Sequence, residues 1–167
     1  DKILRVCHDN LVANGIAYVS YNTYPGWYTQ RTLREMMLYH TQQFLHPKKK
    51  IEQAKASLQL LGLLLKNREE PYGLLLKQQI EYLTDKREDY LFHEYLEKDN
   101  EPLFFHQFIG RAAQYDLHYL GDTQVGNMFA ANFPADIAEL LKLFDDQIRL
   151  EQCIDFIINR GLRRTLL

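Results

Sequence analysis

Apolar residues recur at helical spacing along most of this chain. In residues 1–13 they stand at Ile3, Leu4, Cys7 and Leu11, as in an amphipathic helix. Beyond residue 29 the same period continues, and four of the five prolines stand at predicted helix starts, where proline costs least. The pattern predicts a mainly α fold, a bundle-like array of about six or seven helices, within residues 29–44, 47–65, 71–82, 90–99, 102–112, 134–143 and 146–160.

One segment near the amino terminus breaks the helical pattern. Asn14 and Gly15 end the first helix, and Gly15 is predicted to take the left-handed backbone conformation. Residues 16–21, Ile-Ala-Tyr-Val-Ser-Tyr, are β-branched and aromatic and mostly apolar on both faces. This pattern favours a buried parallel strand, whose partners we expect outside the chain. Residues 117–120 are the one other segment with strand character.

This helix–strand opening predicts two parts. We interpret residues 1–28 as the end of an α/β domain and residues 29–167 as a helical domain. The chain begins with Asp and has no basic-then-apolar leader, so we interpret it as a piece of a longer protein. Because an unpaired strand edge readily pairs with another copy, we expect the isolated chain to form a homodimer through residues 16–21.

Composition and charge narrow the functional classes. The 167 residues include 20 basic and 22 acidic side chains, a net charge of −2, so the electrostatic footprint of a nucleic-acid binder is missing. Cys7 and Cys153 are too few for a disulfide framework and favour a reduced, cytoplasmic setting. No run of 18 apolar residues occurs, so we expect no membrane span.

His93, Glu94 and His106 are the strongest set of candidate metal ligands or proton-transfer groups. A helical zinc motif places its second histidine four residues after the first, but Glu97 occupies that position. The two histidines also fall on different predicted helices. We therefore interpret both imidazoles as partly buried, hydrogen-bonded core groups and expect no metal site. A zinc hydrolase built on these residues stays as an alternative.

Aromatic residues crowd at the end of the predicted strand. Tyr21, Asn22, Tyr24 and Trp27 lie there, around a Pro-Gly turn. A domain interface explains such a group, because large rings bury much area while tyrosine hydroxyls reach the rim. A substrate pocket explains it too, because ligands of open α/β sheets bind beyond the carboxyl ends of the strands. These four residues are the candidate pocket or interface residues.

Two small basic runs complete the inventory of charged motifs. They are residues 48–50 and the set Arg160, Arg163 and Arg164, and we interpret both as surface. The chain has no Gly-rich loop after a strand, no Gly-x-Ser-x-Gly elbow and no Cys-x-x-Cys pair. The sequence therefore predicts neither catalytic nor cofactor-binding residues within this chain.

Several segments resemble known methyltransferases. Residues 11–20, Leu-Val-Ala-Asn-Gly-Ile-Ala-Tyr-Val-Ser, resemble the late helix and fifth strand of class I S-adenosylmethionine-dependent methyltransferases. The continuation to Trp27 resembles the segment that leads into the predicted methyltransferase regulatory domain. Residues 90–97 (Tyr-Leu-Phe-His-Glu-Tyr-Leu-Glu), 100–106 (Asn-Glu-Pro-Leu-Phe-Phe-His) and 149–167 resemble further parts of that domain.

The resemblance implies a helical domain attached to the catalytic domain of bacterial methyltransferases, some of them similar to protein-lysine methyltransferases. It implies S-adenosylmethionine as the cofactor of the longer protein, held upstream of this chain. The implied partner is the catalytic domain of the same protein, together with a protein substrate. The expected function is thus a non-catalytic accessory domain, regulatory or substrate-recognising. The alternative is a stand-alone helical adaptor for protein interactions.

Overall fold

The computed structural model describes residues 2–167, and its described residues are mainly helical. The α-helices are α1 (Lys2–Asn10), α2 (Trp27–Thr41), α3 (Pro47–Leu64), α4 (Pro71–Thr84), α5 (Glu88–Leu91), α6 (Phe105–Ala113), α7 (Ala135–Leu141) and α8 (Gln147–Ile157). A π-helical turn follows α5 at Phe92–Leu96, and 3-10 turns lie at Val125–Met128 and Ala130–Asn132. The strands are β1 (Tyr18–Asn22), β2 (Gly121–Asp122) and β3 (Leu162–Leu166). The mainly α fold class predicted from periodicity is confirmed.

Some prolines stand at the first residue of a helix, as predicted, and others do not. Pro47 and Pro71 are the first residues of α3 and α4, as predicted. Pro102 precedes its helix by three residues, because α6 begins only at Phe105. The backbone between Pro102 and Phe105 forms a parallel β-bridge to the end of β1. In this bridge, Leu103 N–H donates to the Asn22 carbonyl at 3.2 Å.

The strand near the amino terminus is antiparallel and has its partner inside this chain. β1 pairs with β3 in a register that sets Tyr18 opposite Leu166 and Asn22 opposite Leu162. β2 pairs antiparallel with the other side of β3, which gives the order β1-β3-β2. The expectation that the strand pairs only outside the chain is therefore wrong along this edge. The last five residues before Leu167 supply the missing strand.

The chain forms two compact units. The sheet unit comprises the chain up to Trp27 and Glu101–Leu167, and the helical unit comprises Tyr28–Asn100. The sheet unit buries one apolar cluster: Leu4, Ala17, Val19, Phe108, Ala112, Leu117 and Leu167. Buried apolar side chains of the helical unit include Leu33, Met37, Leu58, Leu76, Leu83, Leu91 and Tyr95. The predicted domain division at residue 28 concerns the longer protein and stays a prediction.

Asparagine, rather than glycine, takes the left-handed conformation at two turns. Asn14 has φ 63° and Asn159 has φ 51°, whereas no described glycine has positive φ. The left-handed conformation predicted for Gly15 is therefore wrong. Gly15 is needed for space instead, because a β-carbon there would lie 2.9 Å from the Val12 carbonyl oxygen.

The turn after β1 lies directly against the turn before β3. Gly26 N–H donates to the Arg160 carbonyl at 2.9 Å, and Thr23 N–H donates to the Gly161 carbonyl at 3.1 Å. A β-carbon on Gly26 would lie 2.5 Å from both the α-carbon and the nitrogen of Gly161. Backbone atoms cannot rotate away as a side chain can, so only glycine fits at residue 26.

Gly26→Ala therefore tests this backbone contact. We expect it to lower the free energy of unfolding by about 1–3 kcal/mol, the usual range for overpacking. Gly110→Ala is the matched control, because a β-carbon at that α6 position meets nothing within 4 Å. Helix propensity predicts a small stabilisation there, up to about 1 kcal/mol. Urea denaturation of both variants measures the difference, and equal stabilities would contradict the close approach.

Candidate functional site

The candidate site at the end of β1 is largely occupied by packing inside the sheet unit. The Tyr21 ring stacks on Phe108 of α6, with centroids 3.9 Å apart and planes 22° apart. The Thr165 hydroxyl donates to the Tyr21 hydroxyl at 3.3 Å. Tyr24 is buried, and its ring lies 5.3 Å from that of Phe104.

Trp27 and Asn22 differ in how far they are covered. Trp27 is buried, whereas the side chain of Asn22 is half-buried. Thr23, between them, is a buried residue that the sequence reasoning missed. Its hydroxyl donates to the Leu103 carbonyl at 2.6 Å and so anchors the strand end. Whether Tyr21, Asn22, Tyr24 and Trp27 also form a pocket wall or domain interface in a longer protein stays a prediction.

A buried charged cluster lies beside this strand end, centred on Arg163 of β3. The Arg163 side chain is fully buried. Its Nε and Nη2 donate to the two carboxylate oxygens of Asp155 at 2.7 and 2.9 Å, a bidentate pair. Its Nη1 donates to Glu151 at 3.0 Å. The guanidinium carbon also lies 3.5 Å from the centre of the Phe105 ring, in a cation–π contact.

Arg160 extends the cluster to β2. Its Nε lies 3.1 Å from Asp155 Oδ1 and its Nη1 lies 3.4 Å from Asp122 Oδ2. Asp122 also accepts the backbone N–H of Gln124 at 2.8 Å. The prediction that Arg160 and Arg163 are surface residues is therefore wrong. Charged side chains are almost never fully buried unless paired, and here each arginine meets carboxylates.

The cluster holds two guanidinium groups against three carboxylates, so neutral donors complete it. The Tyr119 hydroxyl lies 2.8 Å from both carboxylate oxygens of Glu151. The Gln147 amide donates to Glu151 at 3.0 Å. Arg163, Glu151 and Asp155 are closed to solvent, and their contacts hold α8 on the sheet.

Burial and neighbouring charges shift the pKa values of these groups. Burial raises the pKa of Asp155, with the hydrogen bond and charge of Arg163 acting against it. Burial acts to lower the pKa of Arg163, but Asp155 and Glu151 raise it overall, so the guanidinium stays charged. Burial, followed by the charge of Glu151, raises the pKa of Tyr119. Burial likewise raises the pKa of Tyr21.

The candidate metal ligands are not brought together as a site. His93 has 71% of its side chain exposed, and its Nδ1 lies 3.7 Å from Glu97. The interpretation of His93 as a core group is therefore wrong. His106 has a hydrogen-bonding partner as expected, with Nδ1 2.9 Å from Gln152 Oε1, although the residue is exposed. His93 and Glu94 belong to the helical unit and His106 to the sheet unit.

The described residues 2–167 contain no cluster of metal-ligating side chains. No group of three or more His, Cys, Asp or Glu side chains among them could hold a metal ion. The glycine that follows β1, Gly26, lies directly against the backbone of Gly161. No helix among these residues has both the length and the apolarity to cross a membrane.

Comparison with known proteins finds a matching family model. The family model of the predicted methyltransferase regulatory domain matches residues 87–167. This segment is therefore similar to that family. The regulatory-domain match begins just before α5 and includes α6, α8 and the whole charged cluster.

The relatives of this chain are longer proteins. The uncharacterized protein RP789 of Rickettsia prowazekii is 42% identical over all of this chain, which covers 30% of RP789. The uncharacterized protein sll1526 of Synechocystis is 24% identical over 98% of this chain and 33% of its own length. The structure of PKMT2 from Rickettsia typhi matches 99% of this chain and 31% of PKMT2 at 41% identity, with a TM-score of 0.83. The chain thus spans roughly a third of the length of these relatives.

The dependence of the sheet unit on Arg163 can be measured by removing the charge of this side chain. Arg163→Met leaves the carboxylates of Asp155 and Glu151 buried without their main partner, which costs about 3–5 kcal/mol of unfolding free energy. Arg87→Met is the control, because the pair between Arg87 and Asp89 is exposed. Urea denaturation should show a large loss for the first and no measurable change for the second. Similar small losses for both would contradict a structural role for the cluster.

Alkaline pH provides a second test. The pKa of Tyr21 and Tyr119 lies above the usual value near 10 in the folded state, so the unfolded chain loses these protons first as pH rises. Their contribution to stability is therefore complete below about pH 10 and is lost above it. In a titration followed by tyrosinate absorbance, both should ionise only as the protein unfolds. Tyr21→Phe should remove one of the tyrosines that ionise only as the protein unfolds. If the variant instead lacks one of the tyrosines that ionise in the folded protein, the prediction is contradicted.

Proposed function

We propose that this chain is a non-catalytic accessory part of an S-adenosylmethionine-dependent methyltransferase and packs on a catalytic domain upstream in the same protein. The observation that carries the proposal is the likeness to PKMT2, at 41% identity over 99% of this chain. A structure of PKMT2 in complex with AdoHcy also matches, with a TM-score of 0.82. By this likeness we assign the cofactor to the longer protein's catalytic domain and the protein to the bacterial cytoplasm.

The outer edge of β1 supports packing against a further strand. Ala17 and Leu167 exchange two backbone hydrogen bonds, each 3.0 Å long. Because the bonding direction alternates along an antiparallel strand, Tyr18 and Ser20 direct their backbone groups away from β3. No strand within residues 2–167 pairs with this edge at Tyr18 and Ser20. We propose that a strand of the catalytic domain continues the sheet there.

The outer face of α1 supports the same partner. Leu4 is buried in the sheet unit, but its neighbours Ile3 and Val6 are 64% and 59% exposed. Ile16, two residues before β1, and Tyr18, the first residue of β1, are exposed as well. Exposed apolar groups mark interaction surfaces where they form a patch. Covering them with the catalytic domain would bury both the helix face and the strand edge.

The end of β1 is the part we propose to lie nearest the substrate. Ligands of open α/β sheets bind beyond the carboxyl ends of strands, where Asn22 follows Tyr21. Tyr24 and Trp27 are buried, so in this proposal they support the wall from behind, while half-buried Asn22 faces the substrate. Their contribution would be to position a protein substrate and exclude water during methyl transfer.

A protein-interaction adaptor is the second candidate, favoured by the surface of α3. Leu60, Leu63 and Leu64 are 55%, 71% and 68% exposed on this helix of the helical unit. Such a leucine-rich surface would suit a protein partner without any link to methyl transfer. The two candidates differ in cofactor binding, which only the methyltransferase requires.

The proposed packing predicts that Val6→Asp lowers the stability of the protein expressed from its natural gene. If the catalytic domain covers α1, the new carboxylate is buried unpaired and lowers the unfolding free energy by about 2 kcal/mol or more. Val125→Asp is the control, because Val125 has nearly the same exposure, 56%, in the same unit. Thermal unfolding with and without S-adenosylhomocysteine measures both the stability and the binding.

The outcomes separate the two candidates. Stabilisation by S-adenosylhomocysteine together with a defect for Val6→Asp alone supports the accessory domain. Stabilisation with no difference between the two variants overturns the packing but keeps the enzyme class. Absence of any S-adenosylhomocysteine binding overturns the methyltransferase proposal and favours the adaptor.

A further inference from the structure

An open groove of about 480 Å³ lies on the sheet unit beside α8. It is lined by His106, Phe144, Arg149, Gln152, Cys153 and Phe156. Its volume lies in the range that holds small ligands, and its walls are mainly aromatic. Neither the charged cluster nor the proposed packing surface uses this groove.

Gln152 is a buried residue of this groove with an unused donor. It is 8% exposed, and its Oε1 accepts the backbone N–H of His106 at 3.2 Å. That contact identifies which amide atom is the oxygen, and His106 Nδ1 lies 2.9 Å from the same oxygen. Gln152 Nε2 is buried and has no hydrogen-bond partner within residues 2–167. A buried donor without an acceptor is costly, and here it lies in the lining of a groove.

Arg149 gives the groove a positive charge. Its backbone N–H is bound by the Asp146 side chain at 2.7 Å, which fixes the residue in the first turn of α8. Its guanidinium forms no ion pair with any residue that the structure describes. A guanidinium presents paired donors that match the two oxygens of a carboxylate. Gln152 and Arg149 therefore supply donors and charge, while Phe144 and Phe156 supply apolar surface.

We propose that this groove binds an apolar carboxylate. The aromatic or aliphatic part of the ligand lies against Phe144 and Phe156, and its carboxylate accepts from Gln152 Nε2 and pairs with Arg149. A free arylalkanoic acid has this chemistry, and so does a peptide that ends in a large apolar residue. The proposal does not depend on the proposed function, because it involves no methyl transfer.

Cys153 reports on occupancy, because it is half-buried in the groove lining. In the protein expressed from its natural gene, the rate of Cys153 alkylation by iodoacetamide is followed by peptide mass spectrometry. We expect 3-phenylpropionate at about 1 mM or above to slow this reaction, whereas 3-phenylpropan-1-ol should need about tenfold more. Cys7, on α1, is the internal control and should keep its rate. Peptides ending in Phe, with a free or an amidated carboxyl group, show whether a chain terminus competes with the free acid.

Variants test the two donors separately. Arg149→Gln should abolish the difference between the acid and the alcohol, whereas Arg5→Gln, an exposed residue of α1, should leave it unchanged. If Gln152→Met folds, it should weaken protection by the acid about tenfold. If it does not fold, the test depends on Arg149→Gln, because Arg149 is exposed and its replacement should not affect folding. Equal protection by acid and alcohol would overturn the carboxylate proposal. Absence of protection by the acid at tens of millimolar, or unchanged selectivity in Arg149→Gln, would also overturn it.

Discussion

The bidentate pair between Arg163 and Asp155 is the interaction on which the sheet unit depends. It joins the last strand to α8, and through Arg160 the same carboxylate reaches Asp122 on β2. A buried ion pair is weak evidence for stability, since an apolar replacement is often as stable. Its effect on register is stronger here, because a slip of one residue would turn Arg163 away from both of its carboxylates. The backbone contact between Gly26 and Gly161 follows from that register.

Local patterns predicted the helices because a helix is made from neighbours in sequence. Pro47 and Pro71 mark helix starts, and the apolar period carries most of the rest. β3 was missed because its alternation is inverted: Arg163 and Thr165 are buried whereas Leu162 is 42% exposed. In the sequence alone, these arginine and threonine residues are typical of an exposed polar terminus, because their buried partners are not known. Glu151 and Asp155, four residues apart on one helix face, were the available signal that a cation lies opposite.

The aromatic residues at the end of β1 also show what a local sequence pattern can and cannot predict. Their position after the strand could be predicted, but their use could not, because one ring can pack a core or line a pocket. Stacking of Tyr21 on Phe108 and the near-complete burial of Trp27 commit much of that surface to the sheet unit itself. The imidazoles were misjudged for a related reason. Aromatic neighbours in sequence do not imply burial, since His93 lies outward on a π-helical turn.

The geometry at the end of β1 also explains how one chain forms two units. The chain leaves the sheet unit after Trp27 and returns at Glu101. Tyr24 N–H donates to the Leu103 carbonyl and Leu103 N–H donates to the Asn22 carbonyl, each at 3.2 Å, so the departing and returning segments are bonded to each other. A segment whose ends lie side by side can be inserted into a domain without disturbing it, because the insertion replaces only a short turn of that domain. The regulatory-domain match starts at residue 87, inside the insertion, and ends on β3. The matched stretch therefore includes residues of both compact units of this chain, and Leu103 is its residue that bonds to the end of β1.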